Sequence, residues 1–272
     1  MSPATLVLTL AGPLQSWGVS KGTENRRTGL YPTKSGVLGI IAAALGRGVG
    51  ESVSDLTNLE MVVRVDHAGD ALTDFHTART NEPVKKPQTA PKPSANSTLT
   101  YRSYRMDAVF TVFLTGDREL VETVHNALRN PVYPPFLGRR AAVPSMPVYP
   151  YNSRILDGFA SDYIEHIPWN APAHVRRAHR GDSVELVVVR DAREGDTPHG
   201  VLMDAPVGVR EYLPRSVVRE TVTIPAVRPR RAVNGVVPES ARTNPFLPSR
   251  QTVLRPAPPA HDPFALLTPI KD

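Results

Sequence analysis

Two strand-then-helix units limit what this chain can fold into. The first opens with the apolar run Leu6-Val7-Leu8-Thr9-Leu10, which breaks at Gly12-Pro13. After a polar loop, Val37, Ile40, Ile41, Ala44 and Leu45 recur at i, i+3, i+4, i+7 and i+8 and stop at Gly46, the spacing of one apolar helical face. The second unit repeats the order. Residues 108–114 are apolar on both faces and predict a central strand. Gly116-Asp117 ends it, Asp117 is suited to cap a helix, and Leu120, Val121, Val124 and Leu128 supply that helix's apolar face before Asn130-Pro131.

Between the two units, residues 59–66 and 72–77 read as strands. With one more strand, this order makes a split βαβ sheet, an α+β fold of the ferredoxin-like (RRM-like) type. Residues 78–100 interrupt it with Arg79, Lys85, Lys86, Lys92 and several prolines, too polar to contribute a core. An insert of that length sits between two strands as a long protruding hairpin or loop. The 28 prolines sharpen the boundaries, because a residue without an N–H has few places in a regular sheet. Residues 131–150 are irregular, and 184–190, 201–211 and 216–224 form a second group of strands. The expected organisation is a ferredoxin-like domain with its insert over 1–150, a smaller β-rich C-terminal part over 151–224, and a Pro/Arg-rich extended tail over 225–272.

The formal net charge of +6 favours an acidic partner, with nucleic acid foremost. The absence of cysteine excludes disulfides, thiolate metal sites and a cysteine nucleophile. The start of the chain has no basic segment ahead of its short apolar run, and no stretch approaches the ~20 residues of a membrane span, so a soluble, cytoplasmic protein with no membrane partner is expected.

The loop of the first unit concentrates chemistry. Gln15-Ser16-Trp17-Gly18, then Arg26, Arg27 and Thr28, lead into Thr33-Lys34-Ser35-Gly36, where the helix starts. Cations and N–H groups at a helix start predict an anion-binding corner, with a plain helix cap as the alternative. Trp17 and Tyr101 lie beside cations and suit stacking on unpaired bases, worth about 1–3 kcal/mol each; for Trp17, packing into the core is an equal alternative. Arg139 and Arg140, in a Pro- and Gly-bearing turn, offer forks for phosphate. An enzyme reading is thin: the histidines are dispersed, His174 and His179 are one position off a helical metal pair, and no HExxH, P-loop, GxSxG or paired-carboxylate motif occurs. No metal or cofactor is expected. His76 and His125 are the residues a metal-independent ribonuclease could use.

Four ordered segments resemble the Cas-five family of RAMP proteins: Leu10-Ala11-Gly12-Pro13-Leu14-Gln15-Ser16-Trp17-Gly18; Arg26-x-Thr28 with Pro32-Thr33-Lys34-Ser35-Gly36 and Leu38-Gly39; Asp74-Phe75-His76-Thr77; and Tyr133-x-Pro135-x-Leu137-Gly138-Arg139-Arg140. The resemblance spans about the first 150 residues and implies the same ferredoxin-like domain, with the polar insert as a long β-hairpin thumb over about 77–106, and a smaller C-terminal part. In the type I-E branch it implies a non-catalytic subunit of the Cascade complex of CRISPR antiviral defence. Such a subunit caps the 5′ handle of the CRISPR RNA, contacts the backbone and large subunits, and meets target DNA only through the complex. Carried over by position, Gln15, Trp17, Arg26, Thr28, Lys34, Ser35 and Gly36 would line the handle site. Tyr101, Arg102 and Tyr104 would stand at the thumb base, and His76, Arg139 and Arg140 would complete the site. A related type I-C subunit is itself a ribonuclease using Tyr, Lys and His, but Leu114-Thr115-Gly116-Asp117 here supplies no Lys-His pair. The alternative to capping is a metal-independent endoribonuclease that processes CRISPR repeat RNA.

Overall fold

The computed structural model describes residues 2–19, 25–79, 97–150, 153–208 and 211–226. The opening apolar run forms β1 (Pro3–Ala11), whose alternate residues Leu6, Leu8 and Leu10 face a helical layer while Val7 faces the other way. Short β2 (Leu14–Gln15) and β3 (Asn25–Arg26) follow in the loop. Helix α1 (Lys34–Ala44) starts where the Thr33 hydroxyl accepts the Gly36 N–H, the capping geometry of a β-region residue before a helix. Its Val37, Leu38, Ile40 and Ile41 join Leu6, Leu8 and Leu10 in the main core. The chain continues through β4 (Glu60–His67), β5 (Asp70–Arg79), β6 (Ser97–Met106), β7 (Val109–Asp117) and α2 (Arg118–Arg129).

The later elements are β8 (Leu156–Asp157), α3 (Ala173–Ala178), β9 (Ser183–Asp191), β10 (Gly200–Gly208) and β11 (Glu211–Pro225). One sheet holds seven strands in the order β10-β11-β9-β4-β7-β1-β8, every neighbouring pair antiparallel. The central β7, buried on both faces, lies between β4 and β1 as its composition requires. A second sheet is built around β6, which pairs with β5 over ten residues, with β2 antiparallel and with β3 parallel.

Three details depart from the pattern in the sequence. The strand character of 101–115 is divided between β6 and β7 at Asp107, a non-glycine residue with φ 55°, whose N–H donates to the Pro13 carbonyl. The strand that would complete a split βαβ sheet, β8, is only two residues long and pairs with β1. Asp117 stands at the N-cap of α2 without a side-chain capping bond. The C-terminal strands β9, β11 and β10 extend the same sheet beyond β4. The expected thumb tip, with Lys85, Lys86 and Lys92, and the tail from 227 lie outside the described residues.

Candidate nucleic-acid interface

The Gln15-Ser16-Trp17 loop is built by its own side chains. Gln15 is buried, and its Nε2 donates to the Leu10 and Ala108 carbonyls at 3.1 and 2.6 Å. Its Oε1 accepts the Trp17 indole N–H at 3.2 Å. Trp17 is fully buried, and a Cβ on Gly36 would come within 2.8 Å of its ring, so helix α1 and the indole fit only because position 36 has no side chain. The Trp17 backbone N–H donates to the Thr28 hydroxyl at 2.8 Å. Gln15, Trp17 and Thr28 thus shape the loop from within. With no exposed surface, Trp17 packs into the core, as its alternative reading has it.

The anion corner holds an anion of the protein's own. The Lys34 N–H at the start of α1 donates to Asp204 Oδ2 at 2.8 Å, and Lys34 Nζ pairs with Asp191 Oδ2 at 3.1 Å. Arg215 joins them, its Nε and Nη2 on the two Asp204 oxygens at 2.9 and 2.8 Å and its Nη1 on Asp191. Burial alone would lower the Arg215 pKa, but the hydrogen bond to Asp204 and the charges of Asp204 and Asp191 raise it, so the guanidinium stays charged. Lys34 is therefore an internal tie between α1 and β9, and this corrects its placement in an RNA site. Nothing in the sequence links Lys34 to carboxylates more than 150 residues away. Ser35 and Gly36 do border open space, a cleft of about 380 Å³ shared with Trp17, Phe136, Met203 and Tyr212.

Accessible cations gather at the root of the β5–β6 pair. The parallel register of β3 and β6 sets Asn25 beside Tyr101 and Arg26 beside Arg102. Arg139 reaches the same place: its Nη2 donates to the Arg26 carbonyl at 3.0 Å, and its guanidinium lies 4.7 Å over the buried Tyr104 ring. Arg102 Nε and Arg139 Nη1 are buried and have no hydrogen-bond acceptor among the described residues. Arg26 and Arg140 are exposed. Gly138 makes this approach possible. Its φ of +85° is a glycine conformation, and a Cβ there would fall 1.7 Å from the Ser16 carbonyl oxygen. The Ser16 N–H donates to Leu137 O at 3.0 Å and its hydroxyl to Ser103 O at 3.1 Å, which ties the arginine turn, the loop and β6 together.

On the strand pair, His76 is half-buried, with Nδ1 3.3 Å from the Thr100 hydroxyl. Tyr101 is exposed and meets Phe75 edge-on at 5.6 Å between ring centroids. Phe75 has no role in the sequence reading; its signal is an aromatic directly across from Tyr101 on a period-two strand. His125 lies on α2, its Nδ1 2.7 Å from Tyr149 Oη. Burial, then the Arg129 charge, holds the imidazole below its usual pKa, and burial pushes the Tyr149 phenol up to about 12. Both groups are neutral near pH 7. Among the described residues no cluster of three or more His, Asp or Glu could hold a metal ion, and no helix is long and apolar enough to cross a membrane.

Residues 5–223 match the family described as CRISPR-associated protein (Cas_Cas5). The chain is similar to the CRISPR system Cascade subunit CasD of Escherichia coli (strain K12), with 33% identity over 161 residues, 53% of this chain and 69% of that protein. Its fold is similar to a chain of a CRISPR RNA-guided surveillance complex, with TM-score 0.64 and 31% identity, covering 82% of this chain and 92% of the other. It is also similar to a crystal structure of a Cas protein, with TM-score 0.60 and 34% identity, covering 82% and 96%.

Proposed function

We infer function here from kinship: the chain belongs to the CRISPR-associated Cas5 family. It serves as an RNA-binding subunit of a Cascade-type surveillance complex of type I-E, in the cytoplasm, where it caps the 5′ handle of the CRISPR RNA without cutting it. It docks there on the backbone and large subunits and meets target DNA only through the assembly. In this reading β1-α1-β4-β7-α2-β8 is the ferredoxin-like core, and β5–β6 is the stem of the thumb.

The observation that carries the reading is the convergence of Arg26, Arg102 and Arg139 at the stem root, where two buried guanidinium N–H groups lack acceptors among the described residues. A buried donor without a partner is destabilising by about 1–3 kcal/mol, and a phosphate oxygen supplies the acceptor. Arg140, Tyr101 and His76 border the same stem, Ser35 and Gly36 the neighbouring cleft, and Tyr104 holds Arg139 in place. Gln15, Trp17, Thr28 and Lys34 support the site from the interior. The excess positive charge of the chain adds long-range attraction.

The test is titration of the purified full-length chain with single-stranded RNA of the repeat-derived handle at several salt concentrations. Arg102→Ala with Arg139→Ala is expected to weaken binding and to flatten the salt dependence by roughly 0.7 in log–log slope per lost phosphate contact. An unchanged slope rejects the site. Incubation with labelled repeat RNA in EDTA is expected to leave it intact; cleavage that disappears in His76→Ala or His125→Ala would overturn the capping role in favour of an endoribonuclease.

A further inference from the structure

We propose that a cleft on the sheet face opposite α1 and α2 is a seat for the protein's own C-terminal tail and takes the stretch Asp262-Pro263-Phe264-Ala265-Leu266-Leu267. The cleft measures about 600 Å³ and lies between the paired ends of β1 and β7 and the segment 168–176. Pro13, Met146, Pro150, Pro172 and Trp169 supply its apolar walls, and Met146 is 45% exposed, so this surface stands open. Trp169 is a fixed wall: its indole N–H donates to the Asp66 carbonyl at 2.8 Å, and the His179 ring meets it edge-on at 5.2 Å. An open apolar cleft with a few polar groups on its rim is the usual form of a binding site. None of its lining residues belongs to the proposed RNA site, and the proposal does not rest on that reading.

The occupant follows from where the chain leaves the sheet. β11 ends at Pro225, and the Ala226 N–H donates to the Asp182 carbonyl at 2.8 Å. Ala226 packs in one cluster with Trp169 and Ala171, both of which line the cleft, so residues 227–272 start at its wall. A segment tethered there is held at about millimolar effective concentration, and the entropy of closing the loop from Ala226 to Asp262 grows only with the logarithm of its length. Charge then selects the stretch. Residues 173–180 contain Arg176, Arg177, Arg180, His174 and His179 and no acidic residue, and Asp107 is the single carboxylate among the described residues that line the cleft. Arg176 Nε is buried and has no hydrogen-bond acceptor among the described residues. The first part of the tail, with Arg228, Arg230 and Arg231, would meet like charge there. Asp262 instead brings the acceptor that Arg176 lacks, and Phe264, Leu266 and Leu267 bring apolar surface to the proline and methionine walls.

The chain has no cysteine, so a pair of introduced thiols reports directly on the seat. In the full-length chain, Ala173→Cys, at an exposed wall of the cleft, is combined with Ala265→Cys and oxidised with glutathione disulfide. The disulfide is expected to close within one molecule roughly ten times faster than between Thr123→Cys, on the exposed side of α2, and Ala265→Cys. Phe264→Ser with Leu267→Ser should abolish that advantage, and Arg176→Ala should reduce it. In a second arm, a synthetic peptide of residues 258–270 is titrated into full-length protein by calorimetry. It is expected to bind the Phe264→Ser, Leu267→Ser variant, whose own tail is released, and to bind wild type roughly ten-fold more weakly, because the tethered tail competes. Equal closure rates at positions 173 and 123, or a peptide that does not bind the tail variant, overturn the proposal. A disulfide that joins two chains, read from the mass on a denaturing gel, assigns the cleft to a second copy. A peptide that binds neither protein, while Met146→Ser weakens docking of neighbouring subunits in the assembled complex, assigns it to a partner protein. Either outcome overturns the intramolecular seat and leaves the RNA-binding function standing.

Discussion

Arg64 and Asp66 are both fully enclosed, and their mutual pairing at 2.9 Å is one strand of a wider net. Arg64 donates to the carbonyls of Ile164, Ile167 and Pro168, while Asp66 accepts from the Thr111 hydroxyl and the Asn170 N–H. The net fastens residues 164–170 across the face of the sheet opposite α1 and α2. Asp66→Ala strands a buried guanidinium and is expected to lower unfolding free energy by about 3–5 kcal/mol, measured by urea denaturation; a loss within error of zero would show that water reaches the pair. In the sequence, Arg64 and Asp66 look like the polar half of an alternating strand, because the segment that covers them is a hundred residues away. The same distance hides Asp204 from Lys34. For Trp17 the sequence left stacking and core packing equally open, since the choice depends on Gly36 and Gln15 closing around the ring.

At the scale of elements, local chemistry was the reliable guide. Periodicity located both long helices, Thr33 marked the start of α1, and the apolar content of β7 announced a central strand. The division of β6 from β7 was not legible, because it depends on a left-handed Asp107 and on Gly69, where a Cβ would lie 2.2 Å from the Met106 carbonyl oxygen. The turn that carries Arg139 is equally dependent on conformation. Gly138→Ala forces either a strained φ, of order 1–3 kcal/mol, or retreat of the turn from Ser16. The expected outcome is a lower melting temperature together with weaker RNA binding, as Arg139 leaves Tyr104. Retained affinity would separate the turn from the site.

For the molecule as a whole, the seven-stranded sheet joins parts far apart in the chain. β9 pairs with β4 through Val62–Arg190 and Val63–Val189, and Val188 shares a cluster with Val7 and Phe113. A fragment of residues 1–150 would expose the β4 edge and that apolar face, so it is expected to aggregate or lack a cooperative melt, as judged by light scattering and calorimetry. A soluble fragment with a sharp transition would contradict this. The second sheet has its own mechanical consequence. Ten paired residues at about 3.3 Å each make β5–β6 a beam of about 30 Å. Its inner half is clamped by β2, by β3 and by Arg105 on the Ala68 and Gly69 carbonyls, whereas residues 97–100 pair, among the described residues, with β5 alone. It is a cantilever: a load on the outer end becomes torque at the clamp, where Ser16 ties β6 to the arginine turn, so a pull on the far end is felt at the proposed RNA site.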